Sequence, residues 1–173
     1  MLRIGNFFWQ LCLLRRSPAD LPATNFATGA TLLVHLAIYV TIASYARPSV
    51  SFAQMSVIIT GSLLAQVLTT WCLLRFKGLG GRFRATWTAL LGCYAVLMLL
   101  LMPLSLMLAH SSNELLLLMV EPVAWVNLVW WLAVAGYIYH KAAGVSILQG
   151  AVIAFLIEYA SFSIADIFFP TDA

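Results

Sequence analysis

Five apolar runs, each about twenty residues long, occupy most of this 173-residue chain, and no other feature restricts its fold as tightly. They are Phe26 to Tyr45, Phe52 to Leu74, Thr86 to Leu108, Pro122 to Tyr139 and Ile147 to Phe169. The hydrocarbon core of a bilayer is about 30 Å thick, and roughly 20 helical residues cross it. Lipid offers no partner to a backbone amide, so a spanning segment must close its own hydrogen bonds, as a helix does. The expected fold class is therefore all-α. The chain reads as one integral membrane domain over residues 1–173: a polytopic membrane helix bundle of five transmembrane helices, preceded by a short interfacial amphipathic helix over 1–16.

Composition supports that reading by exclusion. Residues of hydrophobic type make up 63% of the chain and charged residues 9%, with a mean hydropathy of +0.98. A soluble domain carries about 25% charged residues. Too few charges remain to coat a soluble enzyme, solvate a disordered chain or neutralise phosphates, so nucleic acid is not an expected partner.

Local signals place the helix ends. Ser51 with Gln54, Ser111 with Glu114 and Ser146 with Gln149 each match a capping box, and Pro170 closes the last run. Pro103 predicts a kink in the third span. Glu121-Pro122 predicts a break or kink at the start of the fourth, because proline suits a first helical turn better than a helix interior.

Orientation follows from the cations. Arg3, Arg15, Arg16, Arg75, Lys77, Arg82, Arg84 and Lys141 fall on one side of the five-span arrangement, and Arg47 alone falls on the other. Positive residues favour the cytoplasm, which predicts a cytoplasmic N-terminus and an outward C-terminus, as in a multi-pass protein of a bacterial inner membrane. Trp71, Trp87, Tyr137 and Tyr139 then mark the inner boundary, Tyr45 and Trp125 the outer. Trp130 and Trp131 lie deeper, where they pack between helices or face acyl chains.

The first residues place Ile4, Phe7, Phe8, Leu11 and Leu14 on one helical face and Arg3, Asn6 and Gln10 on another. The interrupted apolar run and missing small-residue cleavage site argue against a signal peptide. A helix in the inner headgroup plane, held by Trp9 and Arg15-Arg16, is expected instead. Ser17 to Thr24, with Pro18 and Pro22, forms the turn into the first span.

Chemistry concentrates at Glu158, eleven residues and about 17 Å into the last span. A lone carboxylate at that depth costs at least about 2.5 kcal/mol, so it must be protonated, paired or beside water. Gly150, Ala154, Ser161 and Ala165 share its face, and such small residues admit a neighbouring helix. Depth matching brings His35 and Gln66 to the same level, with Asn127 in the outer part of the fourth span. Two readings are open: an intramembrane polar cluster of Glu158, His35, Gln66 and Asn127 that binds a proton, polar ligand or headgroup, or a set of interhelical hydrogen bonds.

Two surfaces offer weaker candidates. Arg75-Phe-Lys77-Gly-Leu-Gly-Gly-Arg82-Phe-Arg84 lacks the spacing of a phosphate loop, but with Arg15 and Arg16 it offers a basic surface to anionic lipid headgroups. Arg47, Glu114, Glu121, Asp166 and His110 gather at the outer side, where ordinary solvation accounts for them. No catalytic motif is found, and no catalytic residue or cofactor is assigned. His35, His110 and His140 lie at different depths, and Cys12, Cys72 and Cys93 lack metal-ligand or disulfide spacing, so no metal site is expected.

The stretch from Trp130 through Tyr137-Ile-Tyr-His140-Lys141 to Gly144-Val-Ser146-Ile-Leu-Gln149-Gly150 resembles the junction of the fourth and fifth spans in the Yip1 family of small multi-span membrane proteins. The resemblance implies five spans with short loops and constrains fold more than activity. The expected function is that of a non-enzymatic scaffold or accessory protein. Its expected partners are membrane lipids, another membrane protein or a second copy of itself. The alternative is a small proton-coupled transporter or channel subunit using Glu158.

Overall fold

A computed structural model describes residues 2–21, 24–46, 51–109 and 114–168. The described residues form six α-helices: α1 Leu2–Cys12, α2 Asn25–Ala46, α3 Phe52–Phe76, α4 Phe83–Ala109, α5 Glu114–Ala143 and α6 Ile147–Phe168. Short 3-10 turns at Pro18–Asp20 and Gly80–Arg82 lead into α2 and α4. The architecture is an all-α bundle. Four stretches are long and apolar enough to cross a membrane: Asn25–Tyr45, Phe52–Phe76, Gly80–Met107 and Pro122–Ala143. In α6 the described apolar stretch, Ile147–Ser161, is shorter.

Helix ends follow the capping chemistry. The amide of Ser51 donates to Gln54 Oε1 at 2.8 Å and the amide of Gln54 to Ser51 Oγ at 3.3 Å, and Ser146 and Gln149 repeat the exchange at 2.9 and 3.1 Å. The predicted box at Ser111 lies outside the described residues. At the end of α3, Gly78 adopts φ +72°, the amide of Leu79 reaches back to the Leu74 carbonyl at 2.7 Å, and the amide of Gly78 reaches Arg75 at 3.0 Å. This left-handed C-terminal cap explains the glycine in the basic loop without any phosphate. The same pair of bonds ends α1, with the amides of Arg15 and Leu14 reaching Gln10 and Leu11, but there the left-handed residue is Leu14 at φ +60°.

Of the break or kink expected at Glu121-Pro122, the break is not found: α5 runs on through Glu121 and Pro122 as one helix, just as α4 continues past Pro103. An internal proline forfeits one helical hydrogen bond, whereas a break in an apolar segment strands several backbone groups that lipid cannot satisfy. Continuing the helix is the cheaper choice.

Packing fixes the directions of the helices. Thr28 and Thr88 share a hydrogen bond of 2.8 Å near the starts of α2 and α4, and further along both helices the His35 and Tyr94 rings lie 5.3 Å apart, so these helices run parallel. The hairpin of α5 and α6 is antiparallel. Gly136 and Gly150 meet backbone to backbone: a β-carbon on Gly150 would collide with the Gly136 carbonyl, and one on Gly136 with the Ile147 carbonyl. Such close approach is how helices gain contact where lipid removes the hydrophobic drive. Gly144, at φ +69°, and a 2.7 Å bond from His140 Nδ1 to the Val145 carbonyl turn the chain between them.

The N-terminal helix forms as expected, but protein covers its apolar face. Phe8, Leu11 and Cys12 are buried in a core shared with Leu90, Cys93, Val134 and Ile138. Phe8 occupies the space above Gly92, where a β-carbon would clash with its ring. Trp130 donates its indole N–H to the Cys12 carbonyl at 2.9 Å, and its ring meets that of Trp9 edge-on at 6.2 Å. An amphipathic helix needs only an apolar surface opposite its face, and the groove between α4 and α5 supplies one. Pro18 and Leu21 extend this buried segment.

A candidate ligand site around Glu158

Glu158 projects from α6 on the same side as Gly150 and Ala154, both buried. The contact of Gly136 with Gly150 sets the hairpin register, and further along the two helices that register brings Trp131 opposite Glu158. Trp131, 4% exposed, donates its indole N–H to Glu158 Oε1 at 2.9 Å. Among the described residues this is the only hydrogen bond to the carboxylate, and the donor is neutral.

An aromatic row continues inward from Trp131. Tyr94 of α4 stands edge-to-face with it at 5.0 Å and 83°, a geometry in which a positive ring edge meets a negative ring face. Tyr94 then contacts His35 of α2, and Tyr39 stacks on the imidazole at 6.5 Å. His35 is buried against the Leu91 backbone, and its Nδ1 has no hydrogen-bond partner among the described residues.

Two cavities border the carboxylate. The smaller, about 10 Å³, is enclosed by α3, α4, α5 and α6, with Gln66, Trp131, Tyr139 and Glu158 in its wall. It has room for about one water at most. Beside it, Thr70 and Tyr139 share a buried hydroxyl hydrogen bond of 2.8 Å. The larger is a cleft of about 160 Å³ between α4 and α5, walled by Tyr94, Asn127, Trp131 and Glu158 and by apolar side chains including Leu97 and Leu128.

The structure therefore brings three of the four expected residues to one place: Gln66 borders one cavity, Asn127 the other, and Glu158 both. His35 lines neither cavity and meets the ring of Tyr94 instead. Of the two places the sequence allows Trp131, between helices or against acyl chains, the structure takes the first, and the sequence reading does not include its N–H as the donor. A buried indole N–H nearly always finds an acceptor, and that rule applied to Trp131 at this depth points to Glu158. Ser161, on the same face, bonds instead to the Ile157 carbonyl of its own helix at 2.8 Å.

On the basic surface, Arg15, Arg16, Arg75, Lys77 and Arg84 are exposed. Arg82 also has exposed surface, but its guanidinium donates to the Ala142 carbonyl at 3.2 Å, capping the end of α5, and Arg16 donates to Gln10 Oε1 at 3.1 Å. Arg47 and His110 lie outside the described residues, as do the side chains of Glu114, Glu121, Ala165 and Asp166. Cys12, Cys72 and Cys93 are free thiols, the first and last buried against each other's helices.

Compared with family models, curated proteins and solved structures, the chain matches none.

Proposed function

We propose that this protein is a non-enzymatic multi-pass membrane protein that binds a ligand from within the membrane at Glu158 and acts as an accessory to another membrane process. It crosses the inner membrane five times, with its N-terminus in the cytoplasm and its C-terminus outside. One observation supports the reading above others: a carboxylate held by a single neutral donor opens onto a cleft large enough for a small molecule. A carboxylate serving only to join helices needs no such cleft. The small-residue face of α6 packs on α5 within the chain, which moves the binding role from that face to the cleft. Arg15, Arg16, Arg75, Lys77 and Arg84 then rest against anionic headgroups on the cytoplasmic side, each contributing about 1 kcal/mol.

The test is native mass spectrometry of the protein released from discs of its native lipid. A bound species is expected on the wild type and absent from Glu158→Gln; equal occupancy of both, or an empty wild type, would refute a ligand site at Glu158. A second reading, a proton-coupled transporter or channel subunit, draws on the carboxylate's position between two separate cavities. Proton flux into dye-loaded liposomes that is the same for wild type and Glu158→Gln would dismiss it.

A further inference from the structure

We infer that the cleft between α4 and α5 takes a small organic ammonium ion with an apolar body, an assignment that rests on the reading of Glu158 as a ligand site. The wall chemistry selects this class. Ionised against a cation, Glu158 supplies a negative charge, and no Lys, Arg or His is among the described residues lining the cleft. Its Oε1 is engaged by Trp131, while Oε2 has no donor among the described residues. An ammonium N–H directed at the carboxylate supplies the charge-assisted hydrogen bond that a neutral indole does not. Asn127 borders the same space, and its amide carries a second acceptor.

The rings reinforce the preference for positive charge. Tyr94 and Trp131 both line the cleft, and aromatic walls favour a cation over an anion. Beyond the polar end the walls are Leu97, Met98 and Leu128, which suit a hydrocarbon body. The volume, about 160 Å³, is on the scale of the ~150 Å³ cavity that accommodates benzene. An anion of the same shape meets the carboxylate with repulsion, and a neutral analogue forgoes the ion pair.

Benzylammonium, benzyl alcohol and benzoate differ in charge at nearly constant shape. Each is titrated calorimetrically into the full-length protein in phosphatidylcholine discs. Benzylammonium is expected to bind wild type at least tenfold more tightly than benzyl alcohol, with no binding of benzoate. Glu158→Gln is expected to remove that preference. Ala124→Phe, which fills the cleft while leaving the Trp131–Glu158 pair in place, is expected to weaken benzylammonium at least tenfold, so the result does not depend on the folding of one variant. Equal affinity for the three probes, or an ammonium preference that survives Ala124→Phe, overturns the assignment. Loss of the native bound species from Glu158→Gln without any ammonium preference would leave the site standing and refute the ligand class. Repeating the titration with phosphatidylethanolamine in the discs separates the two sources of the ammonium: competition identifies the lipid headgroup, and unchanged affinity identifies a free amine.

Discussion

At the scale of single residues, the bond from Trp131 to Glu158 carries the most consequence. Removing the donor leaves a buried acceptor unsatisfied, which costs about 1–3 kcal/mol. Trp131→Phe is therefore expected to lower stability by that amount in reversible unfolding from mild detergent. In a Glu158→Leu background the same change is expected to cost less, because neither partner remains to be stranded. Leu14 offers the opposite test. Its left-handed backbone burdens an L-residue by about 1–2 kcal/mol, while the side chain is 41% exposed and has little packing to lose. Leu14→Gly is expected to raise stability by roughly 0.5 kcal/mol once glycine's greater unfolded entropy is subtracted. Glu158 stands out in the sequence because charge within an apolar run is conspicuous. Its donor does not stand out, because an indole counts as apolar on a hydropathy scale. His35 lines neither cavity, and depth matching alone does not say which side chain a residue meets.

At the scale of elements, local rules performed well where the information is local. Run length and capping boxes located α2, α3 and α6, since both depend on a few neighbouring residues. Two features depend on wider context. Proline at position 122 does not stop α5, because the surroundings penalise an open backbone more than a missing bond. The amphipathic pattern of α1 specifies an apolar partner without saying whether that partner is lipid or protein. For the α5–α6 hairpin the decisive element is the glycine contact, where backbone meets backbone and cannot yield. Gly150→Val is expected to destabilise the protein by about 1–3 kcal/mol, read by thermal unfolding in micelles. It should also diminish the ammonium preference, since the same register aligns Trp131 with Glu158.

At the scale of the whole molecule, the proposed five crossings with a cytoplasmic N-terminus make a direct prediction. Single cysteines placed at Ser17 and Thr171 in a cysteine-free background test it directly. A membrane-impermeant maleimide is expected to label Thr171→Cys in intact cells and Ser17→Cys only after permeabilisation; labelling of both from outside would disprove the five-span path. The docking of α1 carries its own implication for biosynthesis. Cys12 and Trp130, joined by a hydrogen bond, are separated by 118 residues along the chain. At roughly 5–20 residues per second, a ribosome needs about 6–24 s to make that interval. The first helix must therefore wait at the membrane, its apolar face borrowing lipid or an insertion factor as a temporary partner, until the groove that will hold it has been synthesised.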